Sequence, residues 1–408
     1  MEHRLIEMIE KALGWSGAAP LGRGFARGSF DDPELYRRLL TPQRLLDAAM
    51  RRSLAPPQLR CFQNGEELRP NQFLTSSVTR RGQSLPMANM DTLSRLMRTG
   101  CTLVVDAMDT FDPTMEAACR ALQWWSHELV QVNTYLTTAD AAGFGLHWDD
   151  HDVIVVQLAG EKSWEVRGAS REAPMYRDAA QNSNPSEEVV WSGTMRPGDV
   201  MHIPRGYWHT ATRNDRDDKG FSLHVTFGFV KRTGVDWMAW LADKTRTDLL
   251  FRQDLDRFGT KEEQGLQHNA LYAAMLRHVE SLNLPTYLAA REAEQPPCRY
   301  VHTGGLFGPV TDIVCVSPFP PDIEVDANEV TVTSVGKRLR LNLRAEAAAR
   351  LLLSGYPVSL SRVSELTGID AAPLAEIFMK EGLCAELTDA LHSGFTGLVP
   401  AASCLSEL

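Results

Sequence analysis

The sequence predicts a mixed α and β protein whose centre is an all-β barrel or jelly roll. Three observations predict it. Between residues 129 and 230 the chain runs as short apolar stretches cut by Gly and Pro. On either side of that region, apolar residues recur at helical spacing, and beyond 325 strand alternation gives way to short helices. At 408 residues the chain is long for one domain. The pattern divides it into an α/β part at 1–100, the barrel at 101–234, a helical region at 235–294 and a winged-helix-like C-terminal domain at 295–408.

The elements follow in order. Leu5, Met8, Ile9 and Leu13 fall on one face of an amphipathic helix, and residues 15–100 mix short helical and strand-like stretches. Asp112-Pro113 is a helix start signal, after which Met115, Cys119, Leu122 and Trp125 form a core-facing stripe. Residues 129–135 alternate, 152–158 are a nearly continuous apolar run, and Ala159-Gly160 turns the chain into a strand over 162–166. The stretch 167–187, rich in Ala, Ser, Asn and charge, reads as a flexible lid. Strands are expected at 188–191, 200–203 and 221–229, with a Pro-Gly-Asp turn at 197–199. Trp237, Trp240, Leu241, Leu249, Leu250, Leu271, Met275, Leu276 and Val279 return to helical spacing, and Gln295-Pro296-Pro297 reads as a hinge. Strand alternation over 325–343 and helices at 345–353, 360–366 and 371–380 suggest a winged-helix module.

The formal charge of -10 argues against a protein that coats phosphate backbones. The seven cysteines are odd in number, scattered and without a C-x-x-C pair, which suggests reduced thiols rather than a disulfide frame or a zinc site. The first residues lack a signal-peptide core, and no apolar run reaches membrane-spanning length. A cytoplasmic protein without a membrane partner is expected.

The chemistry is concentrated in His147-Trp148-Asp149 and the later run from Gly198 to His209. Two histidines and one carboxylate match the facial triad with which non-haem Fe(II) oxygenases hold one face of an octahedral iron. Residues two apart on a strand share a face, so His147 and Asp149 can point inward together. His151 competes for the third position. Four residues of strand span roughly 13 Å, however, too far for 147, 149 and 151 to converge easily on one ion. His209, beyond the turn at Pro204-Arg205-Gly206, is better placed. Such oxygenases commonly chelate 2-oxoglutarate on the iron, and its remote carboxylate then needs a cation. Lys162, across a turn from the triad strand, can supply it; otherwise it is a surface lysine at a hairpin turn. Asn133 and Tyr135 alternate on a preceding strand and can line the same cavity or simply pack the barrel, and Thr226 is similar.

Several segments together resemble the JmjC ribosomal oxygenases of the cupin superfamily. They are Asn133-Thr134-Tyr135, Gly143-Phe144-Gly145, His147-Trp148-Asp149-Asp150, Val155-Val156-Gln157-Leu158, Gly160-Glu161-Lys162-Ser163-Trp164 and Ile203-Pro204-Arg205-Gly206 with His209. The resemblance implies a double-stranded β-helix, a helical dimerisation region, hence a homodimer, and a C-terminal winged helix. It implies iron on His147, Asp149 and His209, and 2-oxoglutarate against Lys162 with Asn133 and Tyr135. The implied activity is Fe(II)- and 2-oxoglutarate-dependent hydroxylation of an Arg or His side chain in a ribosomal protein. Trp148 stands where the family usually has Tyr or Phe between the ligands, so the pocket is expected to differ there.

The C-terminal module disfavours direct DNA contact. Over 344–382 four basic residues (Arg344, Arg350, Arg362, Lys380) face five acids (Glu346, Glu365, Asp370, Glu376, Glu381), whereas a DNA-reading helix needs cations for phosphates. Lys337, Arg338 and Arg340 read as a solvated strand face or a patch for substrate. Two rival readings stand beside the protein hydroxylase: the same chemistry on a small molecule or peptide natural product, and a non-enzymatic cupin or transcription regulator. Lysine demethylation lies within the same chemistry.

Overall fold

Two antiparallel sheets face each other and enclose the cavity that matters. The computed structural model describes residues 1–78, 80–175, 182–213, 220–296 and 300–399. The strands ahead of the barrel are β1 (Ala26–Ser29), β2 (Leu59–Gln63) and β3 (Glu66–Glu67), then the separate hairpin β4 (Leu74–Val78) with β5 (Ser84–Ala88). The barrel strands are β6 (Thr102–Val105), β7 (Leu129–Thr138), β8 (Asp152–Gly160), β9 (Lys162–Ala169), β10 (Val189–Met195), β11 (Asp199–Ile203), β12 (Tyr207–Thr212) and β13 (Phe221–Val230). The larger sheet has the order β1-β11-β8-β13-β7-β6-β2-β3, and the smaller one β10-β9-β12. Strands from the first hundred residues therefore share one sheet with the barrel strands.

The lengths of β7, β8 and β13 follow from burial. In β8 the continuous apolar run Val153–Val156 is buried on both faces, as expected of a strand covered on two sides, whereas β7 and β13 alternate, with Asn133, Tyr135, His224 and Thr226 on the face opposite Val132, Val225 and Phe227. One face of the large sheet packs on the N-terminal helices: Leu5 and Ile9 of Arg4–Leu13, with Leu122 of Pro113–Ser126, join Ile154, Val156, Val225 and Phe227 in one core. The helix at Pro113 begins as expected, its Asp112 carboxylate accepting from the Thr114 and Met115 amides, a cap worth about 1 kcal/mol. The opposite face turns to the small sheet, where Val153, Val155, Trp164, Val166, Met201 and Ile203 meet. The chain crosses between sheets at Gly160, whose φ of +63 leaves no room for a side chain: a Cβ would lie 1.7 Å from the Phe221 carbonyl oxygen.

Two expectations need correction. His147 and Asp149 do not sit on a continuous strand; they lie in the segment before β8, tied down by a single antiparallel bridge between His147 and His209. The reason is geometric, since that segment must fold across the cavity rather than join either sheet. His209 itself lies on a separate strand, β12. The expected lid at 167–187 begins as the end of β9, and Trp208 Nε1 donates to Ser170 Oγ at 2.9 Å while Trp148 Nε1 donates to the Asn182 carbonyl at 2.8 Å. Its residues 176–181 lie outside the described residues, as does Pro297 of the expected hinge.

After the barrel come helices Gly234–Lys244, Leu249–Arg252, Lys261–Ser281 and Leu284–Ala293. Of the 21 residues in Lys261–Ser281 only Ala274 is buried. The C-terminal region holds β14 (Asp312–Cys315), β15 (Asp322–Val325), β16 (Glu329–Ser334), β17 (Lys337–Asn342), β18 (Val358–Ser359) and β19 (Cys384–Glu386). They form two three-stranded sheets, β18-β14-β19 and β15-β16-β17, packed with helices Glu346–Leu352, Leu360–Thr367 and Ala372–Lys380 around Ile313, Val332, Leu352 and Phe378.

Candidate metal centre

Register decides which residues face the cavity. In β13 paired with β7, His224 stands opposite Tyr135 and Thr226 opposite Asn133; in β13 paired with β8, Thr226 stands opposite Val155. Side chains alternate across a strand, so all of these share the inner face. From the other sheet come Lys162 and Trp164 of β9 and His209 and Ala211 of β12. Together with Arg60, Phe144, His147 and Asp149 they line a cavity of about 300 Å³.

At one end of it His147, Asp149 and His209 each offer a ligand atom, all within 4.8 Å of one another. The backbone enforces this. His209 N donates to the His147 carbonyl at 2.7 Å and His147 N to the His209 carbonyl at 3.1 Å, while Gly206 N donates to the Asp149 carbonyl at 2.9 Å. The two rings lie 4.3 Å apart, and His209 Nε2 is 3.6 Å from Asp149 Oδ2. His147 Nδ1 is 2.8 Å from the Gly145 carbonyl and His209 Nδ1 is 3.1 Å from the Tyr207 carbonyl. A carbonyl partner makes each Nδ1 the protonated nitrogen, so both Nε2 lone pairs are free to bind a cation. Burial holds the His209 imidazole down at about 4, against the opposing pull of Asp149, so the ring is neutral at pH 7. Gly143 lets the ligand segment pass this close: a Cβ there would sit 2.6 Å from the Ala211 carbonyl oxygen. His151, the competitor for the third position, lies elsewhere, with Nδ1 3.2 Å from Asp150 Oδ1.

Lys162 lines the same cavity. It is 2% exposed, so the alternative of a surface lysine does not hold. Its Nζ donates to Thr137 Oγ1 at 3.0 Å, and among the described residues no carboxylate pairs with it. Burial, then nearby Arg213, pushes its ammonium down to about 7. A buried cation facing a cavity without an anion costs free energy unless a ligand supplies the charge. Trp164 Nε1 and His224 Nδ1 are also buried without hydrogen-bond partners among the described residues. The donor set therefore fits an anion: the Lys162 ammonium, which no carboxylate among the described residues pairs, lines the same cavity as these two rings.

Asn133, Tyr135 and Thr226 all reach the cavity as expected. Asn133 Oδ1 also accepts from the Ala107 amide at 3.0 Å, so one of its polar atoms serves the fold. Sequence reasoning missed Arg60, Thr137 and His224. Arg60, paired with Asp106 at 2.8 Å and stacked 5.6 Å from the Phe144 ring, comes from far upstream and carries no local signal. His224 had one: it is two residues from Thr226 on the same strand and must share its face.

Residues 108–236 match the JmjC domain model. Among curated proteins, the chain is 35% identical over 142 residues to the Caenorhabditis briggsae bifunctional lysine-specific demethylase and histidyl-hydroxylase NO66, covering 34% of this chain and 17% of that protein. It is 31% identical over 154 residues to rat ribosomal oxygenase 1, covering 37% and 25%. The chain thus spans at most about a quarter of the length of these relatives. Among solved structures, Escherichia coli ycfD aligns over 94% of this chain and 100% of its own, with TM-score 0.55 and 15% identity. The YcfD complex with cobalt and 2-oxoglutarate aligns over 87% and 91%, with TM-score 0.50 and 14% identity. Residues 108–236 accordingly resemble a JmjC domain, and the chain around them shares the fold of Escherichia coli YcfD.

Proposed function

We propose that this protein is an Fe(II)- and 2-oxoglutarate-dependent oxygenase that hydroxylates a protein side chain, an Arg or His of a ribosomal protein. The observation that carries the reading is the pairing of two features in one cavity. A two-histidine, one-carboxylate cluster with both Nε2 lone pairs available and the buried, anion-seeking Lys162 line it together. In this reading His147, Asp149 and His209 hold the iron, and Lys162 holds the distal carboxylate of 2-oxoglutarate, with Asn133, Tyr135 and Thr226 along the wall.

With iron and 2-oxoglutarate bound, the site would use dioxygen: one oxygen atom would convert a substrate C–H to C–OH, and the other would enter the succinate formed as 2-oxoglutarate loses carbon dioxide. The chain's own residues do the rest. The bridge between His147 and His209 holds the three side chains together, so that they would bind an ion from one side. Asp149, its side chain 26% exposed, marks the end from which a protein side chain can approach. The apolar pair Val153 and Val155 and the aromatic rings of Phe144 and Trp164 keep water from the interior.

The relatives support the substrate class: NO66 is described as a histidyl-hydroxylase and lysine-specific demethylase, and the rat protein as a ribosomal oxygenase. A ribosomal target fits a cytoplasmic site of action, and among the described residues no helix is long and apolar enough to cross a membrane. A homodimer is also proposed. Val235, Met238, Leu249, Leu266, Tyr272, Leu276 and Leu284 on the helical region are 47–65% exposed, an apolar surface that a second copy would cover.

Asp149→Ala tests the assignment. It is expected to lower iron-dependent 2-oxoglutarate decarboxylation at least ~10³-fold, because two neutral imidazoles hold Fe(II) poorly. Retained turnover would refute the ligand set. Intact-mass comparison of ribosomal proteins from cells with and without the gene then identifies the target as the one lacking a hydroxyl increment.

A further inference from the structure

His224 has no part in the metal cluster, yet it is one of the most enclosed polar groups in the barrel, 2% exposed. Its ring stacks on Tyr135, with centroids 4.7 Å apart and planes at 7°, and meets the edge of Trp164 at 5.2 Å. Two aromatic neighbours thus fix the plane of the imidazole. Its Nδ1 is closed off from solvent with no hydrogen-bond partner among the described residues. Native interiors rarely leave such an atom unpaired, and on a ring that lines a cavity a ligand filling that cavity accounts for it. The ring lines the same cavity as Lys162, and Lys162 acts on it electrostatically. Burial, and then that neighbouring ammonium, hold the imidazole in its neutral form. A neutral imidazole carries one N–H and one lone pair. Beside a lysine it can therefore donate to an anion without adding a second buried charge.

We propose that His224 is a positioning residue that selects the length of the cosubstrate, its N–H joining Lys162 on the distal carboxylate of a five-carbon 2-oxo diacid. The inference rests on the cosubstrate reading above and adds to it a second donor with a different job. Lys162 supplies charge, which any anion satisfies. His224, locked in plane by Tyr135 and Trp164, supplies direction, which only a carboxylate at the right depth satisfies.

The test is calorimetric binding to the full chain loaded with Mn(II), which needs no turnover. Two probes are compared: 2-oxoglutarate, and pyruvate, which has the same metal-chelating end and no distal carboxylate. His224→Phe keeps the stack on Tyr135 and removes the N–H. It is expected to weaken 2-oxoglutarate roughly tenfold and leave pyruvate unchanged. His224→Gln, which restores a donor, is expected to recover most of the loss. Wild-type affinity in His224→Phe, or an equal loss for both probes, overturns the proposal, the second because it marks a merely structural role. Lys162→Met separates this failure from failure of the cosubstrate reading. If it abolishes 2-oxoglutarate binding while His224→Phe binds normally, only the role of His224 falls; if it too binds normally, the cosubstrate reading falls with it.

Discussion

The space between the barrel sheets and the core of the C-terminal module are both enclosed by antiparallel strands, yet they are filled in opposite ways. In the C-terminal module Ile313, Cys315, Val332, Leu352 and Phe378 meet with essentially no exposure and no charge. In the barrel Lys162, His209 and His224 are equally buried, around a cavity of about 300 Å³. The first arrangement lowers the free energy of folding by dispersion and exclusion of water. The second raises it, since a buried ammonium and unpaired ring nitrogens lose hydration without compensation. A fold retains such groups where a ligand, rather than the chain, completes them. The C-terminal core is therefore read as support and the barrel interior as the working part.

The comparison can be broken most sharply at Phe378, fully buried in the C-terminal core. Phe378→Ala is expected to cost about 3–5 kcal/mol in denaturant unfolding, from lost transfer energy plus a cavity. Metal affinity at the His147, Asp149 and His209 cluster should be unchanged; a parallel drop would mean that the two regions are not separable. Lys162→Met should do the reverse. Removing the unmatched cation is expected to stabilise the ligand-free protein by about 1–2 kcal/mol while abolishing stabilisation by 2-oxoglutarate in a thermal melt. A variant that melts below wild type without ligand would show that Lys162 is structurally compensated.

The smallest effect concerns pH. Lys162 sits at about 7 in the folded chain, held down by burial and Arg213, against a lysine's ordinary value of about 10.4. Between those values the unfolded chain holds a proton that the folded chain has released. This group therefore makes the ligand-free fold more stable as pH rises from about 7 to 10, and the destabilisation is fully present below about 7. Binding a dicarboxylate requires the proton back. Affinity for 2-oxoglutarate should thus fall as pH rises above about 7, by up to ~10-fold per unit, with proton uptake measurable by calorimetry in buffers of different ionisation heat. Lys162→Met should flatten the pH dependence of ligand-free stability; an unchanged slope would assign it elsewhere.

Much of the site was legible in the residues because its signals are local. His147 and Asp149 are two positions apart, His209 follows a turn motif, and Lys162 follows a Gly that only a tight crossover between sheets explains. The secondary structure of the ligand segment was not legible, because an isolated bridge to β12 holds it and no periodicity records a bridge. Arg60 escaped for the same reason: β2 reaches the cavity only through its pairing with β6, some forty residues later in the chain. His224 was missed although its phase with Thr226 gave it away, since one histidine in an apolar strand carries no motif.

By itself the sequence determined the residue types, the alternation that turns one face of each strand inward, and the carboxylate and imidazoles fit for a divalent cation. Those are short-range properties, written in spacings of two to four residues. Only the tertiary structure decided that His209 meets His147 and Asp149, that Lys162 is buried without a counter-ion, and that His224 shares its cavity. Each depends on the register and packing of strands far apart in the chain, where a shift of one residue would turn every inward side chain out.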